Sequence, residues 1–537
     1  MAAPTTSQAT TSGGALHRTI GWKHAFWVAS GVPALVLFSI GGIAATIGTP
    51  SWLVWVISVG FGFIQAFTYA EIAGLFPSKS GGASVYGAAA WVRYGRVIAP
   101  LSVWCNWLAW TPVLAIGAGL AAGYVLSALF AADAAINTWT IVLFDLGSLK
   151  EGLQIRINAT FILGAGILLL VFAAQHHGIL RTARIQTVMG LAVIIPLLIV
   201  GVVPLLTGDV LAANLLPLAP LGFDAEGNVV PGVWDNSGWT LFMGGLFIAA
   251  WSAYGFETAI CYTSEFRDPA TDTYKAILYA GLLCLVIYTL VPIAFQGALG
   301  LEGILDPGIV GGWGVAEAMA HMVGGGSFVE GLLVVMLILA LLLAVMTSMA
   351  GSSRTLYQGS VDGWLPRYLT RVNAHGAPTR AMWTDLCFNL ILLLMSDYLF
   401  VLAVSNCCYL IFNFLNLNAG WIHRIDNKDA KRPWTCPTIL LAAGVVLSFV
   451  NMALLGAGAN VWGEGTLMSG VIAAALIVPV FCYRHFIQDK GRFPETMLED
   501  LHMDARDLSV RRAGMLPYVT IAAGIAVALA ANLMFSV

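Results

Sequence analysis

The residues best placed to do chemistry in this chain are polar ones stranded in apolar surroundings. Phe247 to Pro269 begins as an apolar run. It then meets Ser252, Ala253, Tyr254 and Gly255, carries the carboxylate of Glu257, and ends in the charged segment Glu265-Phe266-Arg267-Asp268-Pro269. A glycine, a hydroxyl and an acid inside a hydrophobic span are costly unless they line a cavity. The stretch therefore reads as a helix broken at Ser252–Gly255, and the break as half of a solute-binding site. A second interruption, Ala29-Ser30-Gly31-Val32-Pro33, falls in the first apolar segment. Half-helix N-termini present free N–H groups and a positive dipole end, which suit a carboxylate. Unwound carbonyls suit an ammonium group or a cation. Pro33 fits the first turn of a restarting half-helix, where its missing N–H costs nothing. With 58 glycines in the chain, either stretch alone also fits an ordinary kink or a small-residue packing face. The pair at matching positions carries more weight.

Other polar and aromatic residues fall into lesser groups. Trp104, Trp107 and Trp110 are spaced by three and lie near one helical face, with Asn106 beside them. They would wall an apolar part of a pocket or form an interfacial belt. Asp385 reads as a structural acid between helices, and Arg354 and Asp362 as part of an inner gate or loop scaffold. No Ser–His–Asp arrangement, Walker loop or metal-ligand cluster is visible, so an enzyme is not expected. The eight cysteines are scattered with no C-x-x-C pair, which suggests neither a zinc site nor a disulfide framework.

The elements that must position these residues are membrane helices. The chain is 59% hydrophobic and 10% charged over 537 residues, against about 25% charged in a soluble protein. Apolar runs long enough to span about 30 Å of hydrocarbon recur throughout. They predict an all-α polytopic membrane protein, embedded in a lipid bilayer, of about thirteen spans. These lie near 24–47, 50–76, 97–130, 156–176, 183–207, 239–264, 275–299, 328–357, 381–397, 399–421, 437–457, 466–487 and 514–535. They are numbered here as helices one to thirteen. If the N-terminus is cytoplasmic, the inner loops gather nearly all the Lys and Arg, while 208–238 and 300–328 carry acids and no Lys or Arg. Lys150 and Arg156 are the exceptions. Val315–Met322 is a candidate short helix in the second of these loops. The expected organisation is a disordered cytoplasmic tail over 1–22, a ten-helix core over 23–421, helices eleven and twelve over 422–488, and a charged linker with an extra helix over 489–537. An interfacial helix is the alternative for the last element. The net charge of −3 gives no reason to expect nucleic acid as a partner. No feature points to an oligomeric state.

Four stretches resemble the amino acid–polyamine–organocation superfamily, whose members have the leucine-transporter-type fold. Tyr69-Ala70-Glu71-Ile72 through Phe76-Pro77 and Gly81-Gly82 resembles its Y-A-E-L…F-P…G-G signature. Gly255-Phe256-Glu257-Thr258 through Glu265 and Asp268-Pro269 resembles G-F-E…E…N-P. Ser353-Arg354-Thr355-Leu356-Tyr357 through Asp362-Gly363-Trp364-Leu365-Pro366 resembles S-R-x-L-Y…D-G-x-L-P. Ala29-Ser30-Gly31 resembles G-S-G. The resemblance covers roughly residues 24–487 and implies two inverted five-helix repeats with broken helices one and six. It also implies secondary active transport of an amino acid or related solute across the plasma membrane, by symport or antiport. Its substrate-backbone residues carry over to Ala29, Ser30, Gly31, Ala250, Trp251 and Ala253, with Tyr254 and Trp107 near the substrate side chain. Trp251 through Thr258 is similar to the W-S-x-x-G-x-E-S run of arginine/agmatine exchangers, which implies a gating Trp251 and a proton-sensing Glu257.

Two departures from the pattern bear on the solute and the ion. Pro33 stands where the family has Phe, which removes one N–H donor and leaves an amine or polyamine permease as the alternative. Helix five lacks the lysine common in proton-coupled members. Either Ala29, Val32, Thr347 and Ser348 form a sodium site, with Na+ or H+ as coupling ion, or solutes exchange without an ion. No other cofactor is expected. A solute-binding membrane receptor without transport would need the same pocket.

Overall fold

The computed structural model describes residues 16–131, 133–500 and 511–535. Apolar runs in lipid must satisfy their own backbone polar groups, and helices do this within a single segment. Helix two is Ser51–Gly74, helix three Ile98–Trp110 continued as Pro112–Leu129, and helix five Ile179–Thr207. Helix seven is Pro269–Ile304, eight Ser327–Val361 and ten Tyr398–Asp426. Helix eleven is Thr438–Gly458, twelve runs through Thr466–Gln488 and thirteen is Leu516–Met534. Polar caps set several starts. Asp235 accepts from Gly238 N at 2.9 Å ahead of helix six, Asp397 from Phe400 N at 3.0 Å ahead of helix ten, and Asn158 from Phe161 N at 2.9 Å ahead of helix four.

Among the described residues ten helices are long and apolar enough to cross a membrane, or eleven if the bent pair Trp22–Phe38 and Ile40–Ile47 counts as one. The expected thirteen is not reached because helices four and nine are short. Ala159–Gln175 has 17 residues and Thr379–Leu392 has 14. At 1.5 Å per residue they reach about 25 and 21 Å. The reason lies at their shared end. Residues 154–158, Gln-Ile-Arg-Ile-Asn, alternate polar and apolar, and form strand β2 (Gln154–Asn158) against β1 (Thr140–Asp145). Arg156 N then donates to Leu394 O at 2.8 Å just past helix nine. The span expected from 156 therefore begins as a strand. A second hairpin, Leu221–Phe223 with Val229–Pro231, fills part of the 208–238 loop. Val315–Met322 is a helix, as its pattern predicts.

Helix two packs along helix seven, helix three along helix eight, and helix ten against helices three and eleven. Helix thirteen lies on helix eleven. Of the expected tail, residues 1–15 lie outside the described part. The tail ends sooner than residue 22, because Ile20 is fully buried and bridges to Phe266. Thr19 N and Ile20 N donate to Glu265 O at 3.0 and 3.2 Å, and Arg267 N to Ile20 O at 2.8 Å. In the C-terminal linker, 501–510 lie outside the described residues. Beyond them Ala513 N donates to Asp426 Oδ1 at 3.0 Å.

Candidate functional site

Helices one and six both change winding in mid-course. Helix one is α-helical over Trp22–Val28, becomes 3₁₀ over Ala29–Gly31 and again over Pro33–Phe38, and resumes as α at Ile40. Helix six is α over Asn236–Ala253 and 3₁₀ over Gly255–Glu265, with Tyr262 off the helical region at φ −111° and ψ 15°. The interruptions are thus overwound rather than unwound. The 41° bend of helix one lies at Ser39, ten residues beyond the first switch. Long 3₁₀ runs are uncommon and mark hinges or strained sequence.

The two switches face each other. The 3₁₀ turn of helix one lies between helix eight and the 3₁₀ segment of helix six. A methyl at Gly255 would fall 3.0 Å from Val32 Cγ1 and 2.5 Å from Trp110 Cη2. A methyl at Gly31 would fall 2.7 Å from the backbone carbonyl of Leu343 and 2.7 Å from Thr347 Oγ1. Glycine at both positions is what lets helices one, three, six and eight meet.

Side chains from neighbouring helices hold the carbonyls of the helix-one switch. Thr347 Oγ1 donates to Val28 O at 2.5 Å, and Tyr288 OH to Val32 O at 2.7 Å. Gln186 Nε2, from helix five, donates to Val28 O and to Thr347 Oγ1, both at 3.2 Å. Ser30 Oγ turns back to Trp27 O at 2.6 Å, and Ala29 O accepts from Val32 N at 3.2 Å. Ser348 Oγ donates to Trp110 O at 2.5 Å, toward helix three. The expected sodium ligands Ala29, Val32, Thr347 and Ser348 therefore each have a protein partner. The corner between helices one, five and eight is occupied by the Gln186 amide, whose NH₂ donates to two of these oxygens and whose Oε1 has no hydrogen-bond partner among the described residues. Gln186 was missed in the sequence, although its spacing from Thr182 and Gly190 marks one buried face of helix five.

On the helix-six side, Trp251 Nε1 donates to Ala109 O at 3.1 Å and its ring stacks on Trp110 at 6.3 Å. Trp110 Nε1 donates to Glu257 Oε1 at 2.8 Å. Glu257 is 1% exposed, and its Oε2 has no hydrogen-bond partner among the described residues. Tyr254 OH donates to Asn451 Oδ1 at 3.4 Å and its ring meets Tyr409 at 6.1 Å. Ala250 O caps the α segment by accepting from Tyr254 N at 3.1 Å, and Ala253 is fully buried against Gly62.

Trp107 faces elsewhere. Its Nε1 donates to Asp385 Oδ1 at 2.5 Å and its ring packs on Phe388. Each three-residue step falls about 60° short of a full turn, so Trp107 and Trp110 address different neighbours, and it is Trp110 that joins Trp251 and Glu257. Asp385 also accepts from Thr111 and Ser352, which ties helices three, eight and nine together.

The space around the site is unequal at the two ends. Trp251 lines a cavity of about 20 Å³ with Phe38, Ser39, Val113, Leu341 and Tyr398, room for about one water. Toward the end with the acidic loops, a cavity of about 590 Å³ opens between Gly119–Phe130 and Gly311–Trp313. Toward the basic end the path is tied shut. Lys79 Nζ meets Asp362 Oδ1 at 2.6 Å, Arg354 forks onto Glu265, and Tyr86 OH donates to Ile260 O at 2.9 Å. Arg354 and Asp362 thus both belong to this closure. The site is thus buried and nearly filled, with a separate cavity toward the acidic loops and a latch at the basic end.

A family model described as amino acid permease matches residues 20–482. A polyamine transporter of Oryza sativa subsp. japonica is 24% identical over 306 residues, 52% of this chain and 55% of that protein. A branched-chain amino acid permease of Bacillus subtilis (strain 168) is 23% identical over 441 residues, 80% of this chain and 82% of that one. A branched-chain amino acid permease of Lactococcus lactis subsp. cremoris (strain MG1363) is 22% identical over 251 residues, 46% and 50% of the two chains. The match spans about half the length of the rice and Lactococcus proteins.

Proposed function

Because the chain belongs to the amino acid permease family, we propose that it is a secondary transporter of an amino acid or closely related amine, working by alternating access in the plasma membrane. The observation that carries this reading is the pair of facing α-to-3₁₀ switches at Ala29 and Gly255, buried between helices three and eight. Their matched positions, five helices apart, support two inverted five-helix repeats. The basic end, with Lys79 and Arg354, is the cytoplasmic one, and the N-terminus lies on that side.

In this mechanism the solute enters from the side of the acidic loops, and the one-water cavity beside Trp251 widens to receive it. Its ammonium meets the helix-six carbonyls and its carboxylate the helix-one switch at Ala29, Ser30 and Gly31. Trp251 closes over it. The Lys79–Asp362 and Arg354–Glu265 pairs then part, and helices one and six rock open toward the cytoplasm. Gln186 occupying the corner beside Val28 and Thr347 favours exchange or proton coupling through Glu257 over sodium symport.

A second reading, amine or polyamine transport, rests on the unpartnered Glu257 Oε2, which suits an ammonium group, and on the rice relative. Thermal melting of the detergent-purified chain across amino acids and amines, with sodium present or replaced, separates the two. A ligand that binds only the folded state raises the melting temperature by mass action. A shift by α-amino acids supports the first reading, and a shift by amines alone supports the second. Uptake of the shifting ligand into proteoliposomes is the test of transport itself. Binding without flux would leave a receptor and overturn the proposal.

A further inference from the structure

The basic end carries a second cluster that the transport site does not use. His176-His177-Gly178 joins helices four and five, and a loop containing His375 joins helices eight and nine. The two connections touch. The His176–His177, His176–His375 and His177–His375 ring centroids are 6.0, 6.5 and 5.4 Å apart. Asn373 Nδ2 donates to His176 O at 2.8 Å. A methyl at Gly178 would fall 2.4 Å from His375 O. The N-terminal segment joins them, with the His17 ring against Gly376.

Everything chargeable in these connections is basic. Arg181 and Arg184 sit on the first turns of helix five, Arg380 on the first turn of helix nine and Arg371 in the loop before it, all exposed. None of the four forms an ion pair among the described residues. Residues 159–208 and 363–384 contain no Asp or Glu. Neither helix five nor helix nine has a side-chain cap, so two positive dipole ends add to the same field. Desolvation first, then the Arg181 guanidinium and the two neighbouring imidazoles, depress the His177 pKa.

The arginines also head two outward apolar stripes. On helix five the exposed face runs from Arg181 and Arg184 to Val188, Leu191 and Ile195. On helix nine it runs from Arg380 through Trp383 to Ile391. Helix four lies between, its Phe172 packed on Trp383 at 4.6 Å. Cations that cap lipid-facing stripes stand at headgroup depth. We propose that this cluster binds the phosphate headgroup of an anionic phospholipid, whose acyl chains lie along helices five, four and nine. A free phosphate would satisfy the charges but would leave the stripes unused.

Native mass spectrometry of the full chain, titrated with phosphatidylglycerol or phosphatidylcholine, tests this. The wild type should retain phosphatidylglycerol in preference to phosphatidylcholine. The variant Arg181→Gln/Arg184→Gln/Arg380→Gln should lose that preference by about a hundredfold, at about fivefold per arginine. All three positions are exposed, so its melting temperature in detergent should match the wild type. Equal phosphatidylglycerol retention by variant and wild type, or no preference in the wild type, overturns the site. A second measurement needs no variant. If inorganic phosphate alone raises the melting temperature of lipid-free wild type as much as phosphatidylglycerol does, the site takes a soluble anion and the lipid assignment fails.

Discussion

Replacing Glu265 by glutamine should unlatch the basic end. Arg354 and Glu265 are 3% and 1% exposed at their side chains. Arg354 Nη2 donates to Glu265 Oε2 at 3.0 Å, Nε to Oε1, and Nη1 to Ala350 O at 2.9 Å, with the guanidinium 5.2 Å over the Tyr262 ring. Glutamine keeps the shape but removes the charge, which leaves a buried cation uncompensated. Breaking such a pair costs about 3–5 kcal/mol. If the open form gives Arg354 back to water, that cost falls on the closed form alone. At about 1.4 kcal/mol per decade, the opening equilibrium moves by about two to three and a half decades. Cys261 reports it, since the residue is 2% exposed and its thiol is wedged beside Gly82 and Gly351. Alkylation of Cys261 by a maleimide, read by peptide mass spectrometry against the exposed Cys387 as internal reference, should accelerate by about a hundredfold or more. The double change Glu265→Leu/Arg354→Met removes both charges and should restore protection. An unchanged Cys261 rate in the single variant would refute the latch. A double variant as reactive as the single would show that uncompensated charge is not the cause.

Other perturbations follow from the site itself. Trp251→Ala should slow uptake more than it weakens binding, and wild-type uptake kinetics would remove its gating role. Glu257→Gln keeps an acceptor for Trp110 but cannot take up a proton. It should flatten the pH profile of uptake, and an unchanged profile would leave Glu257 structural. Gly31→Ala forces a methyl against the Leu343 backbone and should cost about 1–3 kcal/mol in stability with loss of transport, whereas Gly42→Ala, with nothing within 4 Å, should be silent in both.

The long helices and the pairing of Ala29–Pro33 with Ser252–Gly255 were legible because lipid forbids stray polar groups, so each interruption stood out. Glu257 was legible for the same reason. Winding was not. A 3₁₀ turn and an α turn share the same composition, and at helix one the carbonyls are held by Tyr288, Gln186 and Thr347, residues distant in sequence. Gln186 itself hid at the edge of the basic run Arg181–Arg184, where a glutamine looks like solvent-facing loop. Which of the tryptophans meets Trp251 was not legible, because spacing gives a face but not the neighbour each ring on it meets. The strand at Gln154–Asn158 was readable from its alternation, but was absorbed into the apolar run that follows.

The winding of helix six has a mechanical consequence. A 3₁₀ helix rises about 2.0 Å per residue and an α-helix about 1.5 Å. Gly255–Cys261, ahead of the kink at Tyr262, therefore holds about 3.5 Å of extra length. Rewinding it as α would draw Glu265, and the N-terminal segment bonded to it, toward Tyr254 by that distance. A rewinding of that size would carry Glu265 beyond hydrogen-bond reach of Arg354, along the helix axis rather than by tilting.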